Sequence, residues 1–113
     1  VSSVASLRGG RTAPAYNASK AFVSNYMEGL RQKARRHQYP FYVTDIRPGF
    51  VDTPMTAGMD KSGPLWAQPE QIAVCIENGI QKKKNAIYAP WFWQYIMLII
   101  RHIPESIFKR LLL

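Results

Sequence analysis

Apolar residues recur with a helical period early in the chain. Within "APAYNASKAFVSNYMEGLRQKARRH", Phe22, Val23, Tyr26, Met27, Leu30 and Ala34 fall one, three or four positions apart. That spacing lines one face of an amphipathic helix. Pro14 suits its first turn, and Tyr39–Pro40 closes the connection behind it. "FYVTDI", residues 41–46, switches to aromatic and β-branched residues between prolines, which predicts a short buried strand. "RPGFVDTPMTAGMDKSGPLW", residues 47–66, has no period and is dense in Gly, Pro, Thr and Asp, so a long loop is expected. Long ordered loops in compact domains are usually functional. "PEQIAVCIENGIQKKK" predicts a second helix, with Pro69 and Glu70 in its first turn and Ile72, Ala73, Ile76 and Ile80 as its apolar positions. "NAIYAP" reads as one more strand, and residues 91–113 are helical in pattern with a break at Pro104. No internal repeat or low-complexity segment interrupts this order.

Strands alternating with helices predict an α/β fold built on a mainly parallel sheet with flanking helices. The opening "VSSVAS" reads as the end of a strand. In such sheets ligands bind beyond the carboxyl ends of the strands. Ser2 and Ser3, and then Pro48 to Thr53, fall at those ends. At 113 residues one domain is the ceiling, and a start at Val1 inside an apolar-to-hydroxyl run is expected of a piece of a longer chain.

Charge changes the picture less than its size suggests. The formal charge is +8, from 15 Lys+Arg against 7 Asp+Glu, which invites nucleic acid or an anionic membrane as partner. Arg31, Lys33, Arg35 and Arg36 crowd the end of the first helix, and Lys82, Lys83 and Lys84 the end of the second. Cations there complement the helix dipole, so solvated helix ends explain them and no nucleic-acid partner is expected. Cys75 has no partner for a disulfide and is expected as buried filler in a cytoplasmic protein. "WFWQYIMLII", residues 91–100, is shorter than the roughly 20 residues a bilayer crossing needs.

The candidate chemistry lies in the opening stretch "SSVASLRGGRTAPAYNASKAF". Tyr16 and Lys20 are four residues apart on the first helix and so project into one place. A phenol titrates at roughly 10 in water, and a neighbouring ammonium favours its ionised form. A serine hydroxyl in the same cleft can hydrogen-bond a substrate oxygen, so Ser3, Tyr16 and Lys20 together suit proton transfer coupled to hydride transfer. A Tyr and a Lys four apart also recur by chance in many helices; the pair alone specifies nothing.

The whole pattern is more specific. Ser3, Tyr16 thirteen positions on, Lys20 four beyond, and "RPGFVDTPM" after the next strand resemble the short-chain dehydrogenase/reductase family. The resemblance runs over nearly the whole chain, residues 1–113, as the carboxyl-terminal catalytic half of one such domain, with residues 91–113 as lid or tail helices. It implies a Rossmann-like, doubly wound parallel sheet and an NAD- or NADP-dependent oxidoreductase that interconverts a carbonyl and an alcohol. Ser3 would orient the substrate oxygen and Tyr16 would donate or accept the proton. Lys20 would favour ionised Tyr16 while hydrogen-bonding the nicotinamide ribose. Pro48 and Gly49 would shape the loop against the cofactor, with the Val51 backbone and the Thr53 hydroxyl meeting the carboxamide. Ser2 is assigned no chemistry, and Asn17 and Ser19 are read as packing or helix surface.

Two departures qualify the match. The family's Gly-rich turn for the pyrophosphate is absent from these residues, since Gly9–Gly10 forms no G-x-x-x-G-x-G or G-x-G-x-x-G, and the Asn of the family's catalytic tetrad has no counterpart. Residues 1–113 alone are therefore expected to be inactive. Met55, Met59, Leu65, Trp66, Trp91, Phe92 and Trp93 suggest an apolar lid and a hydrophobic small-molecule carbonyl or alcohol substrate. A homo-oligomer is expected of the parent enzyme. The basic, aromatic tail is also similar to that of membrane-associated family members, so peripheral membrane contact stands beside lid packing. The alternatives to an enzyme are a non-catalytic remnant and a peripheral membrane-binding module.

Overall fold

The computed structural model describes residues 1–111; the last two leucines of the 91–113 tail lie outside the described residues. Its elements are a 3-10 turn Val4–Leu7, helix α1 Pro14–Arg36, strand β1 Asp45–Pro48, strand β2 Phe50–Val51, a 3-10 turn Pro54–Thr56, strand β3 Trp66–Ala67, helix α2 Pro69–Gln81, strand β4 Ala86–Ala89, helix α3 Trp93–His102 and helix α4 Glu105–Phe108. This is the α/β, parallel-strand architecture of a Rossmann-like fragment.

β1 pairs in parallel with β4, Asp45 opposite Ala86 through Pro48 opposite Ala89. On its other side the extended N-terminal segment joins through the Ser2 N–H, which donates to the Ile46 carbonyl at 2.8 Å. β1 and β2 are nearly one strand that changes partner at Gly49: its N–H still reaches the Ala89 carbonyl at 3.0 Å, while Phe50 and Val51 pair with Trp66 and Ala67 of β3. The expected long loop is thus tied back on itself by two-residue strands, too short to show a period. The expected strand at 41–46 begins at Asp45 instead. Phe41 leaves the ladder to stack on Tyr39, which stacks on His37, with ring centroids 5.5 and 5.4 Å apart.

Both long helices end alike, on a residue with positive φ, Gln38 at 56° and Lys83 at 54°. In each, the next N–H reaches back five residues, Tyr39 to the Ala34 carbonyl at 2.9 Å and Lys84 to Gly79 at 3.1 Å. That is the Schellman pattern, made here without glycine. Gly79 works instead on the buried face of α2, where a Cβ would lie 2.2 Å from Ile87 Cδ1. The helix approaches β4 so closely that Ile80, expected inside, is turned outward.

Two small cores flank the strands. Ala67, Ile72 and Ala89 pack with Val51, Cys75 and Ile76, so Cys75 is half-buried filler. Val4, Trp93 and Met97 pack with Leu7, Leu65, Tyr88, Phe92, Ile96 and Ile100. The second core seats α3 against the turn that follows Ser3. Trp93 reaches Gly49, where an added Cβ would fall 2.0 Å from the indole Nε1.

Gly49→Ala is expected to destabilise the protein by about 1–3 kcal/mol, the usual cost of overpacking a core. Thermal unfolding should show the loss, and an unchanged melting temperature would mean that Trp93 moves aside freely.

Candidate active site

Ser3 is buried and extended, with φ −169° and ψ 161°, and its side-chain oxygen accepts from the Ala5 N–H at 3.1 Å. This bond caps the turn Val4–Leu7 and leaves the hydroxyl proton for another acceptor. The turn packs on α1. Tyr16 and Lys20 project from the first two turns of α1, Tyr16 with 38% of its surface exposed and Lys20 Nζ 5.6 Å from the centre of the Tyr16 ring. The structure therefore brings Tyr16 and Lys20 together and packs their helix on the serine segment. Among the described residues no hydrogen bond joins Ser3 to Tyr16.

Asn17 lies between them in sequence, and its side-chain amide donates to the Arg8 carbonyl at 2.8 Å. This ties the glycine-rich stretch 8–13 to the helix, where a Cβ on Gly10 would meet Asn17 Nδ2 at 2.9 Å. Ser19 bonds only its own helix, at the Tyr16 carbonyl.

The other half of the site is the β1–β2 edge and the turn after it. Pro48 ends β1, a position where its missing N–H breaks no later rung. Gly49 is required by the Trp93 indole, and that side of it is filled by protein rather than left as a cradle. The Thr53 N–H donates to Thr56 Oγ1 at 3.1 Å, while the Thr56 hydroxyl lies 3.0 Å from the Val51 carbonyl and 2.9 Å from that of Thr53. Thr56 closes this turn; the Thr53 hydroxyl is in none of these bonds, and the Val51 carbonyl keeps a second lone pair. The Trp93 indole N–H, buried beside Gly49, has no partner among the described residues.

Sequence reasoning passed over a buried polar cluster beneath these groups. Asp45 is 0% exposed. Its Oδ1 accepts from the Ser2 hydroxyl at 2.6 Å, and its Oδ2 accepts from the Ser24 hydroxyl at 2.7 Å and from Arg47 Nε at 2.8 Å. Each serine has one proton, and both are directed at the carboxylate. Arg47 Nη1 in turn donates to the Tyr88 hydroxyl at 2.7 Å. Burial by itself would raise the Asp45 carboxyl; the bonds from Ser2, Ser24 and Arg47, with the guanidinium charge, outweigh it and hold the group below its ordinary value. The signal was an acidic residue inside an apolar strand run, and a serine one turn beyond Lys20.

A hollow of about 670 Å³ lies between the end of α1 and residues 38–43 and contains none of these groups. No cluster of potential metal ligands occurs among the described residues.

A sequence profile described as short chain dehydrogenase matches residues 1–63. The chain belongs to the short-chain dehydrogenase family. Similar proteins include an uncharacterized oxidoreductase of Mycobacterium tuberculosis, 29% identical over 110 residues that make up 97% of this chain and 43% of that protein. Another, from Myxococcus xanthus, is 32% identical over 108 residues, 96% of this chain and 42% of its own. A third, from Streptomyces coelicolor, is 30% identical over 111 residues, 98% and 43% of the two chains. The chain thus spans less than half the length of the curated relatives it matches.

The lowered Asp45 carboxyl carries a pH signature. Its stabilisation is present above the unfolded carboxyl value, near 4, and is lost as the pH falls through the lower folded value. Asp52, beside Lys61, and Asp60 shift in the same direction but are exposed and screened by solvent. Acid titration of the melting temperature should therefore fall more steeply below pH 4 in the native protein than in Asp45→Asn; identical slopes would remove Asp45 from the acid transition.

Proposed function

We propose that the full-length protein containing this chain is an NAD- or NADP-dependent oxidoreductase that interconverts a hydrophobic carbonyl compound and its alcohol. The observation that carries the reading is Lys20 Nζ, 5.6 Å from the Tyr16 ring on a helix packed against the Ser3 turn. Ser3, its oxygen already accepting from Ala5, donates its proton to the substrate oxygen and orients it. Tyr16 delivers a proton to that oxygen in reduction and takes it back in oxidation. Lys20 keeps a positive charge beside the Tyr16 ring in both directions of the reaction.

The residues present suit the nicotinamide end of the cofactor. Lys20 would hold the ribose, and the Thr53 hydroxyl proton and second lone pair of the Val51 carbonyl would hold the carboxamide, at the loop that Pro48 and Gly49 shape. When bound, nicotinamide supplies or takes up hydride. Nothing in residues 1–113 has the Gly-rich pattern that receives a pyrophosphate, so these residues alone are expected to be inactive. On this reading residues 1–113 are the carboxyl-terminal catalytic half of a single domain whose parent enzyme is a homo-oligomer.

In the full-length protein, Tyr16→Phe keeps the ring and removes the proton donor, so turnover should fall by about 10²–10⁴-fold. Reduced-nicotinamide absorbance with decanal and acetophenone, offered with each cofactor, reads this directly. Undiminished turnover rejects the assignment.

A second reading concerns where the enzyme works, and α3 favours it. Its Trp93 and Met97 are buried, whereas Tyr95, Leu98 and Ile99, and Trp91 just before it, are exposed; Arg101 lines one hollow with Tyr95 and Leu98, and Lys109 and Arg110 follow in the sequence. No helix among the described residues is long and apolar enough to cross a membrane. An aromatic-apolar face edged with cations suits the interface of an anionic bilayer, held by both buried area and charge. The full-length protein should float with phosphatidylglycerol-containing vesicles but not with pure phosphatidylcholine, less so at high salt, and not at all after Trp91, Leu98 and Ile99 are changed to Ser. Equal flotation of the triple variant, or none of the native protein, overturns this reading.

A further inference from the structure

We infer that Asp45 is the positioning residue of the site: its single carboxylate holds the segment carrying Ser3 and the helix carrying Tyr16 and Lys20 in one register. The inference rests on the reading of those three residues as the reacting set.

The connections are direct on both sides. Ser2, bonded to Asp45 Oδ1 at 2.6 Å, is the residue immediately before Ser3. Ser24, bonded to Oδ2 at 2.7 Å, continues the spacing Tyr16, Lys20, Ser24, three positions four apart along one stripe of α1. The stripe is exposed at Tyr16 and buried at Ser24. Ser2 and Ser24 also lie 3.0 Å apart, so the two elements meet at the carboxylate itself. Arg47 Nε fixes the carboxylate from within β1 at 2.8 Å, and Tyr88 fixes Arg47 from β4 at 2.7 Å. With donors on both oxygens and its charge partnered, the carboxylate has one orientation.

A buried ion pair is weak evidence for stability, because apolar replacement is often neutral or better. Direction is what the carboxylate adds. Eight residues of helix separate Ser24 from Tyr16, about 12 Å along the axis at 1.5 Å per residue. Over that lever a tilt of about 5° moves the phenol by about 1 Å, and a misplacement of that size can lower turnover on the order of 100-fold. An apolar contact at position 24 would resist separation of the helix from β1 but would resist such a tilt far less.

Three variants of the full-length protein test the inference, each read by hydrogen exchange without cofactor and by turnover of decanal. Asparagine at 45 keeps the shape and can still accept from Ser2, but its amide nitrogen cannot accept from Ser24 or Arg47. Asp45→Asn should speed exchange in residues 2–7 and 13–24, leave α2 protected, and lower kcat about 100-fold with KM little changed. Ser2→Ala should loosen residues 2–7 only, and Ser24→Ala α1 only, each with a smaller fall in kcat. A structural role alone would raise exchange throughout or lower the melting temperature while kcat per folded molecule held, and either result overturns the inference. Should Asp45→Asn fail to fold, Ser24→Ala decides: a loosened α1 with undiminished kcat rejects the positioning role. Full turnover in Tyr16→Phe removes the underlying reading instead, whereas loss in that variant with full kcat in the other three removes the positioning role alone.

Discussion

A carboxylate sealed from water must be matched by donors, and the arrangement of this chain follows from how Asp45 is matched. Two serine protons and one guanidinium N–H converge on it, from the N-terminal segment, from α1 and from β1. Each donor belongs to an element whose path through the fold is then constrained. The N-terminal segment must run beside β1, α1 must cross with Ser24 inward, and Arg47 must turn back along its own strand toward Tyr88 on β4. An unmatched buried charge would cost several kcal/mol, so none of these elements can slide without losing a partner. The apolar cores on either side have no such directionality. They decide that the elements pack, while the carboxylate decides how.

The elements themselves were legible in the sequence because their periods are long enough to read. α1 and α2 cover the expected stretches, β4 lies in "NAIYAP", and the tail breaks at Pro104. Tyr16 and Lys20 were legible for the same reason, since a four-residue spacing on a helix fixes a common face. What escaped the reading is mostly local or tertiary. The shift of β1 from residues 41–46 to 45–48 reflects aromatic side chains that find each other, His37, Tyr39 and Phe41, in preference to the ladder. The two-residue pairing of β2 with β3 has no period to detect. Helix ends at Gln38 and Lys83 lacked the glycine that usually marks them. Ser2 and Ser24 looked like ordinary hydroxyl residues because their meaning depends on a partner more than twenty positions away.

Gly49 shows how one residue can satisfy two expectations with a single physical fact. In the sequence it sits in a Pro-Gly pair at a strand end, where a ligand would be expected. In the structure its missing Cβ is the space the Trp93 indole occupies. The strand edge that bears Val51 and Thr53 is thereby fastened to α3, and α3 is fastened in turn to the far side of the Ser3 turn by Arg8. The Arg8 guanidinium lies 3.0 Å from the Ile100 carbonyl and 3.2 Å from that of Arg101, at the end of α3, and 4.1 Å from the centre of the Phe108 ring. Cationic donors suit a helix C-terminus, where the carbonyls lack intrahelical partners. The tail is thus seated at both ends, at Gly49 by shape and at Arg8 by charge.

That double seating bears on why "WFWQYIMLII" is apolar almost throughout. A helix apolar on every side is ordinarily buried on every side. In α3 the angular positions divide instead: Trp93 and Met97, with half-buried Ile96 and Ile100, turn inward, and Tyr95, Leu98 and Ile99 turn outward, as does Trp91 just before the helix. Shape at Gly49 and carbonyl capture by Arg8 both fix the rotation of the helix about its axis, so the outward residues cannot be brought inside by a small roll without emptying the seat at Gly49. The outward apolar face is therefore a consequence of the inward contacts that tie α3 to Gly49 and Arg8. Relief of its exposure must come from something laid against the helix rather than from a rearrangement of the helix itself.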